Sequence, residues 1–328
     1  MISPTRYIWM DGQLVPWEQA KVHVLTFTLH YGMGSFEGIR SYRVRPGQGS
    51  VFRLHDHCER LIESARLCNI EVPYSAEEVA DSVIQTFAAN DLAEGYARPL
   101  AFIGTGGMGL GAFNNPVHLV TAVWAWGAYL GDDGRANGIR CCISSYGRID
   151  SRAFMAKAKI PGHYVNSILA KEEAIRHGYD EGLMTDHDGH VLEGTGENLF
   201  LVNNGKLVTP PFGSGILGGF TRDTILAFAA EKGLPVEESL FGRDSVYMAD
   251  EVFLTGTAAE VTPVREVDGR MIGDGKPGPI TRMMQSRYQD VVTGSSDDYE
   301  AWRTLYPVEC DSQEDSLPAD SESSPYII

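Results

Sequence analysis

Between Glu181 and Pro210 the sequence reads EGLMTDHDGHVLEGTGENLFLVNNGKLVTP, short apolar runs broken at Asp188-Gly189 and Asn204-Gly205. Asp-Gly and Asn-Gly pairs supply the positive backbone angles of two-residue hairpin turns, so these runs are expected to meander as antiparallel strands. The same pattern opens the chain, where YIWMDGQLVPW joins two apolar runs across Asp11-Gly12. Further strands are expected in GIRSYRV, ARPLAFIG, HLVTAVWAW, IRCCISS, LPVEESL and EVFLTG. Helices fall between them. One runs from about His57 to Cys68, with Leu61, Ile62, Ala65 and Leu67 on its apolar face, and one from a Ser75–Glu78 capping box to Ala89. Others run from Tyr164 to His177, from Thr221 to Gly233, and from GPIT to about Thr293. Meandering strands with scattered helices and no repeated βαβ unit make the fold class α+β.

A chain of 328 residues exceeds one ordinary core, so two domains are expected. GAYLGDDGRANG, residues 127–138, is rich in glycine and charge and reads as the linker between residues 1–126 and 139–294. From Gly294 to Ile328 nine acidic residues stand against one basic residue, Arg303, and 295–328 is expected to be a disordered acidic tail. The formal net charge of −17 argues against a nucleic-acid partner. The longest apolar run, LVTAVWAW, is too short to span a bilayer, and MISPTRYIWMDGQ lacks the layout of a signal peptide. Five cysteines, two of them adjacent (Cys141, Cys142), read as reduced thiols in a cytoplasmic protein. No CxxC or HExxH occurs, so no metal is expected.

The chemistry concentrates in a few short stretches. AKAKIPGHY, residues 156–164, places Lys157 and Lys159 before a Pro-Gly turn and Tyr164. LEGTGENLF, residues 192–200, spaces Glu193 and Glu197 around Gly194 and Gly196, and glycines in a strand suit a close backbone approach. GILGGFTRDTI sets Gly218-Gly219 before a helix whose first turn holds Thr221, an arrangement suited to an anion. TGTAAE, residues 255–260, offers Thr257 in a second small-residue loop. FEGIRSY and HDHCERL carry Arg40 and Arg60, and Arg60 can meet a phosphate bidentately. His55 and His57 read as a solvated helix cap. A lysine for a Schiff base, an acid that keeps a pyridine nitrogen protonated and donors for a phosphate dianion are together what a pyridoxal phosphate enzyme needs. Strand geometry does not choose between the lysines, since positions 157 and 159 would face the same side.

In their order, YIWMDGQLVPW, LHYGMGSFEGIRSY, FRLHDHCERL, YARPL, WGAYLG, HGYDEGLMTD, EGTGENLF, GFTRD and ADEVFLTGTAAEVTPV resemble the class IV (fold type IV) pyridoxal phosphate aminotransferases. Within that group the resemblance is to the bacterial branched-chain amino acid enzymes, over about residues 6–294. The resemblance implies two α/β domains with the active site between them and pyridoxal 5′-phosphate as cofactor. It also implies a homodimer or higher homo-oligomer with shared sites. The reaction implied moves an amino group from L-leucine, L-isoleucine or L-valine to 2-oxoglutarate.

The family's Schiff-base lysine stands five residues before the tyrosine that contacts the cofactor's phenolic oxygen, which selects Lys159 and leaves Lys157 a flanking residue. By the same carry-over Glu193 partners the pyridine nitrogen, Glu197 belongs to its supporting network, and Tyr164 meets the phenolic oxygen. Arg60, the backbone N–H groups of Phe220 and Thr221, and Thr257 hold the phosphate. Lys159 also moves the proton between the substrate α-carbon and the cofactor C4′. Phe36, Trp126, Tyr129 and Tyr164 resemble the family's aromatic pocket walls, which take apolar side chains by area burial. Tyr31 and Leu110 reach in from a neighbouring subunit. Tyr96, with the backbone of Thr257 and Ala258, binds the α-carboxylate, and Arg98 the distal carboxylate of glutamate. At Ile160-Pro161-Gly162-His163 the chain departs from the small pair usual after the lysine. Alternatives in the same fold are a D-amino acid or (R)-amine transaminase, against which YARPL argues, and an aminodeoxychorismate lyase. A binding protein without catalysis is disfavoured by the presence of Lys159, Glu193, Tyr164 and Arg60 together.

Overall fold

The computed structural model describes residues 2–111, 114–127 and 130–309. Among these residues the strands form two sheets. The first has eight strands, in the order Arg303–Pro307, Gln48–Phe52, Ile39–Arg45, Gly95–Ile103, Val117–Trp124, Tyr7–Met10 and Gln13–Pro16, with Gly34–Phe36 also paired to Gly95–Ile103. All its pairings are antiparallel. The second has nine, in the order Val191–Glu193, Glu181–Thr185, Ile139–Ile143, Glu260–Val267, Glu251–Gly256, Asn198–Asn203, Lys206–Thr209 and Val236–Glu238, with Arg270–Met271 on Glu260–Val267. Here Ile139–Ile143 runs parallel to both neighbours and Lys206–Thr209 parallel to Val236–Glu238, in an otherwise antiparallel sheet. This is the expected α+β arrangement.

Local chemistry explains the elements that flank the site. Asp11 and Gly12 both take positive φ (48° and 90°), the angles of the tight turn that joins Tyr7–Met10 to Gln13–Pro16. Glu78 N–H donates to Ser75 Oγ at 3.2 Å and Ser75 N–H to Glu78 Oε2 at 2.7 Å. The box satisfies donors that a helix start leaves free. The helix Ala76–Ala89 then buries Val79, Val83 and Phe87, spaced four apart, each side chain contributing about 1.5–3 kcal/mol. The helix expected from His57 starts three residues earlier, as Leu54–Leu67, following Arg53 in the left-handed region at φ 54°. His57 is therefore an interior residue, 2% exposed, and not a solvated cap.

Two expected boundaries change. Within the proposed linker, Gly131–Asn137 is a helix, held by Arg135 against the buried carboxylate of Glu260 at 3.3 Å. The acidic tail does not begin at 295. Glu300–Trp302 forms a 3₁₀ turn and Arg303–Pro307 adds a strand to the edge of the first sheet. Tyr306 drives this return: it is 1% exposed, stacks on Phe87 at 5.5 Å, and donates its hydroxyl to Leu92 O at 2.6 Å. Residues 310–328, with most of the tail's acidic groups and Cys310, lie outside the described residues. Cys58, Cys141 and Cys142 are buried free thiols and Cys68 is half-buried. No helix of the described residues is long and apolar enough to cross a membrane.

Candidate active site

The lysine segment is not a strand. Residues 151–160 run as turns, with Ala158 N–H donating to Met155 O at 2.8 Å, so the parity that made the two lysines equivalent does not apply. Ala156, Ala158 and Ile160 enter the core, and the lysines part company. Lys157 is exposed, with its Nζ 3.8 Å from the centroid of the Phe212 ring. Lys159 is half-buried, with its Nζ 2.5 Å from Tyr164 Oη. Its main chain is pinned on both sides: its N–H donates to Ser64 Oγ at 2.9 Å and its carbonyl accepts from Phe36 N–H at 3.1 Å. Pro161 opens a 3₁₀ turn, Pro161–His163, at a position that needs no N–H, and Tyr164 starts the helix Tyr164–Arg176. Gly162 lies against Gly32, donating to its carbonyl at 3.0 Å, and a Cβ on Gly32 would stand 2.8 Å from Gly162 Cα. The departure at 160–163 is thus the turn that folds Tyr164 back onto Lys159.

Glu193 closes the strand Val191–Glu193 and is 4% exposed. Its Oε1 accepts from Arg148 Nε; its Oε2 accepts from Asn198 Nδ2 and from Leu217 N–H, both at 3.1 Å. Sequence reading missed Arg148 and Asn198. Asn198 stands inside the quoted EGTGENLF, whereas Arg148 follows a strand with nothing nearby to mark it. Glu197, expected in this network, does not bond Glu193; its Oε2 accepts from Gly196 N–H at 3.1 Å. Burial, reinforced by the charge of Glu181 and opposed by Lys171, pushes the Glu197 carboxyl up to about 8. Glu181 is fully buried and saturated, by Lys171 Nζ and Thr195 Oγ1 at 2.6 Å and Gly182 N–H at 2.8 Å.

At the other end Arg60 donates through Nε and one terminal nitrogen to Glu37, at 2.6 and 2.9 Å. Its second terminal nitrogen donates to Gly218 O at 2.5 Å. Gly219 caps the helix Phe220–Glu231 with no side chain for its first N–H groups, and a Cβ there would stand 2.1 Å from Asn198 Oδ1. Thr221 is buried in that first turn, and Thr257 Oγ1 stands 3.5 Å from His57 Nε2. Glu37, missed in sequence, and His57, read there as a solvated cap, lie in stretches quoted for their arginines. Arg40 is buried, 3.3 Å from Ala258 O and 3.4 Å from Glu260 Oε1.

These contacts link into one continuous run. Glu193 holds Leu217, the next residue, Gly218, accepts from Arg60, and Arg60 pairs with Glu37. Next to Glu37, Phe36 packs its ring 5.0 Å from that of Tyr164, which meets Lys159. Beside this run of contacts is an aromatic wall. Tyr96 lies 4.3 Å from Trp126 and 5.4 Å from Trp124 between ring centroids. The Arg98 guanidinium carbon stands 4.9 Å from the Phe36 ring centroid and 5.7 Å from that of Tyr96, and its buried Nε has no protein partner among the described residues. The Tyr96 hydroxyl fills the space a side chain at Gly38 would need, 1.7 Å from an ideal Cβ. Tyr31 and Leu110 do not join this wall within the chain; they are 43% and 80% exposed, and Tyr31 Oη donates to Met108 O at 2.8 Å. Tyr129 lies outside the described residues.

The chain is similar to known proteins over most of its length. The family described as amino-transferase class IV matches residues 34–267. The branched-chain-amino-acid aminotransferase of Pseudomonas aeruginosa is 48% identical over 298 residues, 91% of this chain and 96% of its own. That of Escherichia coli is 44% identical over 300 residues, 90% and 96% of the two chains. A crystal structure of the Escherichia coli enzyme superposes with a TM-score of 0.89 at 43% identity, covering 91% of this chain and 98% of that one. A T.th. branched-chain amino acid aminotransferase solved with pyridoxamine 5′-phosphate also gives 0.89 at 43% identity, covering 93% and 99%. The chain belongs to the class IV aminotransferases.

Proposed function

We propose that the protein is a branched-chain amino acid aminotransferase. It uses pyridoxal 5′-phosphate and transfers the amino group of L-leucine, L-isoleucine or L-valine to 2-oxoglutarate, leaving L-glutamate and a branched 2-oxo acid. The observation that carries this reading is the continuous run of contacts from Glu193 through Arg60, Glu37 and Phe36 to Tyr164 and Lys159. The residues fit the cofactor. Lys159 offers an amine in hydrogen-bond contact with a phenol, Glu193 offers a buried carboxylate, and the helix entry at Gly219–Thr221 offers main-chain donors where no side chain fits.

Bound there, the cofactor supplies a carbonyl that takes the amino group and a cationic ring that stabilises negative charge at the substrate α-carbon. Glu193, fixed by Arg148 and Asn198, is the acceptor for the pyridine N–H. Arg60, the N–H groups of Phe220 and Thr221, and Thr257 hold the phosphate. Tyr164 orients the phenolic oxygen and the Lys159 amine together. Lys159 would hold the cofactor covalently, and its amine, once free, would take up the proton released at the substrate α-carbon. Phe36, Trp126 and Tyr129 exclude water and take the branched side chain. Tyr96, with the backbone of Thr257 and Ala258, binds the α-carboxylate, and Arg98 the distal carboxylate of the other substrate.

The protein works in the cytoplasm as a homodimer or higher homo-oligomer, in which Tyr31 and Leu110 complete a neighbour's pocket. A donor panel with 2-oxoglutarate, read beside the absorbance spectrum, tests this. Leucine, isoleucine and valine should each give glutamate, and D-alanine and (R)-phenylethylamine should not. Absence of glutamate from all three L-amino acids overturns the reading.

A further inference from the structure

We propose that Glu37 is the positioning residue of the phosphate end: it aims Arg60, the guanidinium read as holding the phosphate. This rests on the reading of the site as one for pyridoxal phosphate and adds to it a residue that contacts neither cofactor nor substrate.

Glu37 stands between the strands Gly34–Phe36 and Ile39–Arg45, fully buried, with its own N–H donated to Pro99 O at 2.9 Å. Its carboxylate gathers four donors. Oε1 takes Arg60 Nε at 2.6 Å; Oε2 takes the adjacent Arg60 nitrogen at 2.9 Å, His57 Nδ1 at 2.7 Å and Gly38 N–H at 3.3 Å. Burial alone would push this carboxyl up, but Arg60 and His57 hold it well below the usual carboxylate range, so it remains an anion. An anionic carboxylate only accepts, so His57 carries its hydrogen on Nδ1. Burial lowers the basicity of that ring against the pull of Glu37, and its Nε2 lies 3.5 Å from Thr257 Oγ1.

The fork of Arg60 is spent asymmetrically. Two of its nitrogens lie on Glu37, and the remaining one points at the Gly218–Gly219 turn. Phe220 completes the clamp, with the Arg60 guanidinium carbon 4.2 Å above its ring and the His57 ring at 4.6 Å on edge. One carboxylate from the first sheet thus fixes a guanidinium that belongs to a different part of the chain.

Two physical effects oppose each other here, which makes the assignment testable. Glu37 cancels the charge of Arg60, so a Coulomb argument alone makes its removal favour a dianion. A guanidinium released from its bidentate partner loses its direction, and direction is what bidentate recognition supplies. The geometry assigns the second effect as the larger.

Apoprotein of wild type, Glu37→Gln and Glu37→Asp is titrated with pyridoxal 5′-phosphate and with pyridoxal, which lacks the phosphate, following the absorbance of the lysine-bound chromophore. Both variants should lose phosphate-ester affinity by roughly 10- to 100-fold, the loss typical when an outer hydrogen-bond partner is removed from a ligand-holding residue. Their pyridoxal affinity should change by less than about threefold. Adding Glu37→Gln to Arg60→Met should weaken binding no further than Arg60→Met alone. Unchanged or tighter phosphate-ester binding overturns the proposal, as does an equal loss for both ligands, which would make Glu37 merely structural. If Glu37→Gln does not fold, Glu37→Asp decides, because it keeps the charge and withdraws the carboxylate by one methylene. A wild type that binds no cofactor would instead sink the underlying reading of the site.

Discussion

The two walls proposed for the site, one for the cofactor and one for the substrate, are built on different principles. On the cofactor wall Glu193 and Glu37 accept on both oxygens and Arg60 donates to two partners, so each group has a single orientation. On the substrate wall Phe36, Tyr96 and Trp126 meet through ring contacts, and Arg98 rests on two ring faces with its Nε unpartnered by the described residues. Hydrogen bonds are directional and costly to leave unmade, whereas ring packing tolerates adjustment. A saturated wall suits an invariant ligand. A packed wall with one adaptable cation suits side chains that alternate between apolar and acidic.

The largest effect should come from the cofactor wall. Lys159→Ala should abolish the lysine-bound absorbance and lower kcat by the roughly 10²–10⁴-fold of a positioned proton-transfer group, and further for loss of the covalent hold. Steady-state rates and a spectrum of the purified variant check both. Retained turnover would break the comparison at its root.

On the substrate wall the loss should be selective. Arg98→Gln removes a cation whose hydrogen bonds to a charged partner are worth about 1.5–3 kcal/mol, roughly 10- to 150-fold in the KM for 2-oxoglutarate. The KM for leucine should move less than about threefold, because an apolar side chain has nothing to pair with Arg98. Equal rises for both substrates would show that Arg98 supports the wall instead of reading a carboxylate.

Glu197 is the exception on the cofactor side, a buried acid with one hydrogen-bond donor and a carboxyl raised to about 8. Below about pH 4.5 the folded and unfolded chains both protonate it and it costs nothing. Between there and about 8 only the unfolded chain ionises it, so the stability that its raised value contributes is lost as pH rises through that window. Glu197→Gln lacks this titration. The stability of wild type relative to the variant should therefore fall from pH 5 to 9, on the order of 1 kcal/mol per pH unit at its steepest. Denaturant titrations across that range measure it, and a constant difference would place Glu197 among the saturated groups.

What the sequence made legible follows the same division. Local chemistry was readable: Asp11-Gly12 turned because both positions need positive φ, and Ser75 capped because Glu78 stands three residues on. Lys159 was chosen through the family resemblance, which sets the lysine five residues before Tyr164, and the intervening Pro161–His163 turn is the physical content of that distance. Long-range partners were not readable. Arg148 meets Glu193 across 45 residues, and Glu37 meets Arg60 only once a strand and a helix have packed. The strand Arg303–Pro307 was hidden because acidic composition over the whole tail outweighs a five-residue run whose partner lies some 250 positions earlier.

The smallest expected effect marks where the cofactor wall ends. Lys157 is two residues from Lys159, carries the same charge, and lies on the same turn-rich segment. Its Nζ sits over the Phe212 ring, which is itself 47% exposed, so the contact is a surface cation–π pair worth about 0.5–1 kcal/mol. Removing it costs that pair and leaves the bonds of Lys159 to Ser64, Phe36 and Tyr164 untouched. Lys157→Ala should keep the lysine-bound absorbance and hold kcat and both KM values within about twofold, with a small loss of thermal stability. A larger fall in kcat with the spectrum intact would mean that Phe212, whose ring packs where a side chain at Gly218 would stand, transmits the position of Lys157 to the phosphate turn. The wall would then extend one layer further than its hydrogen bonds.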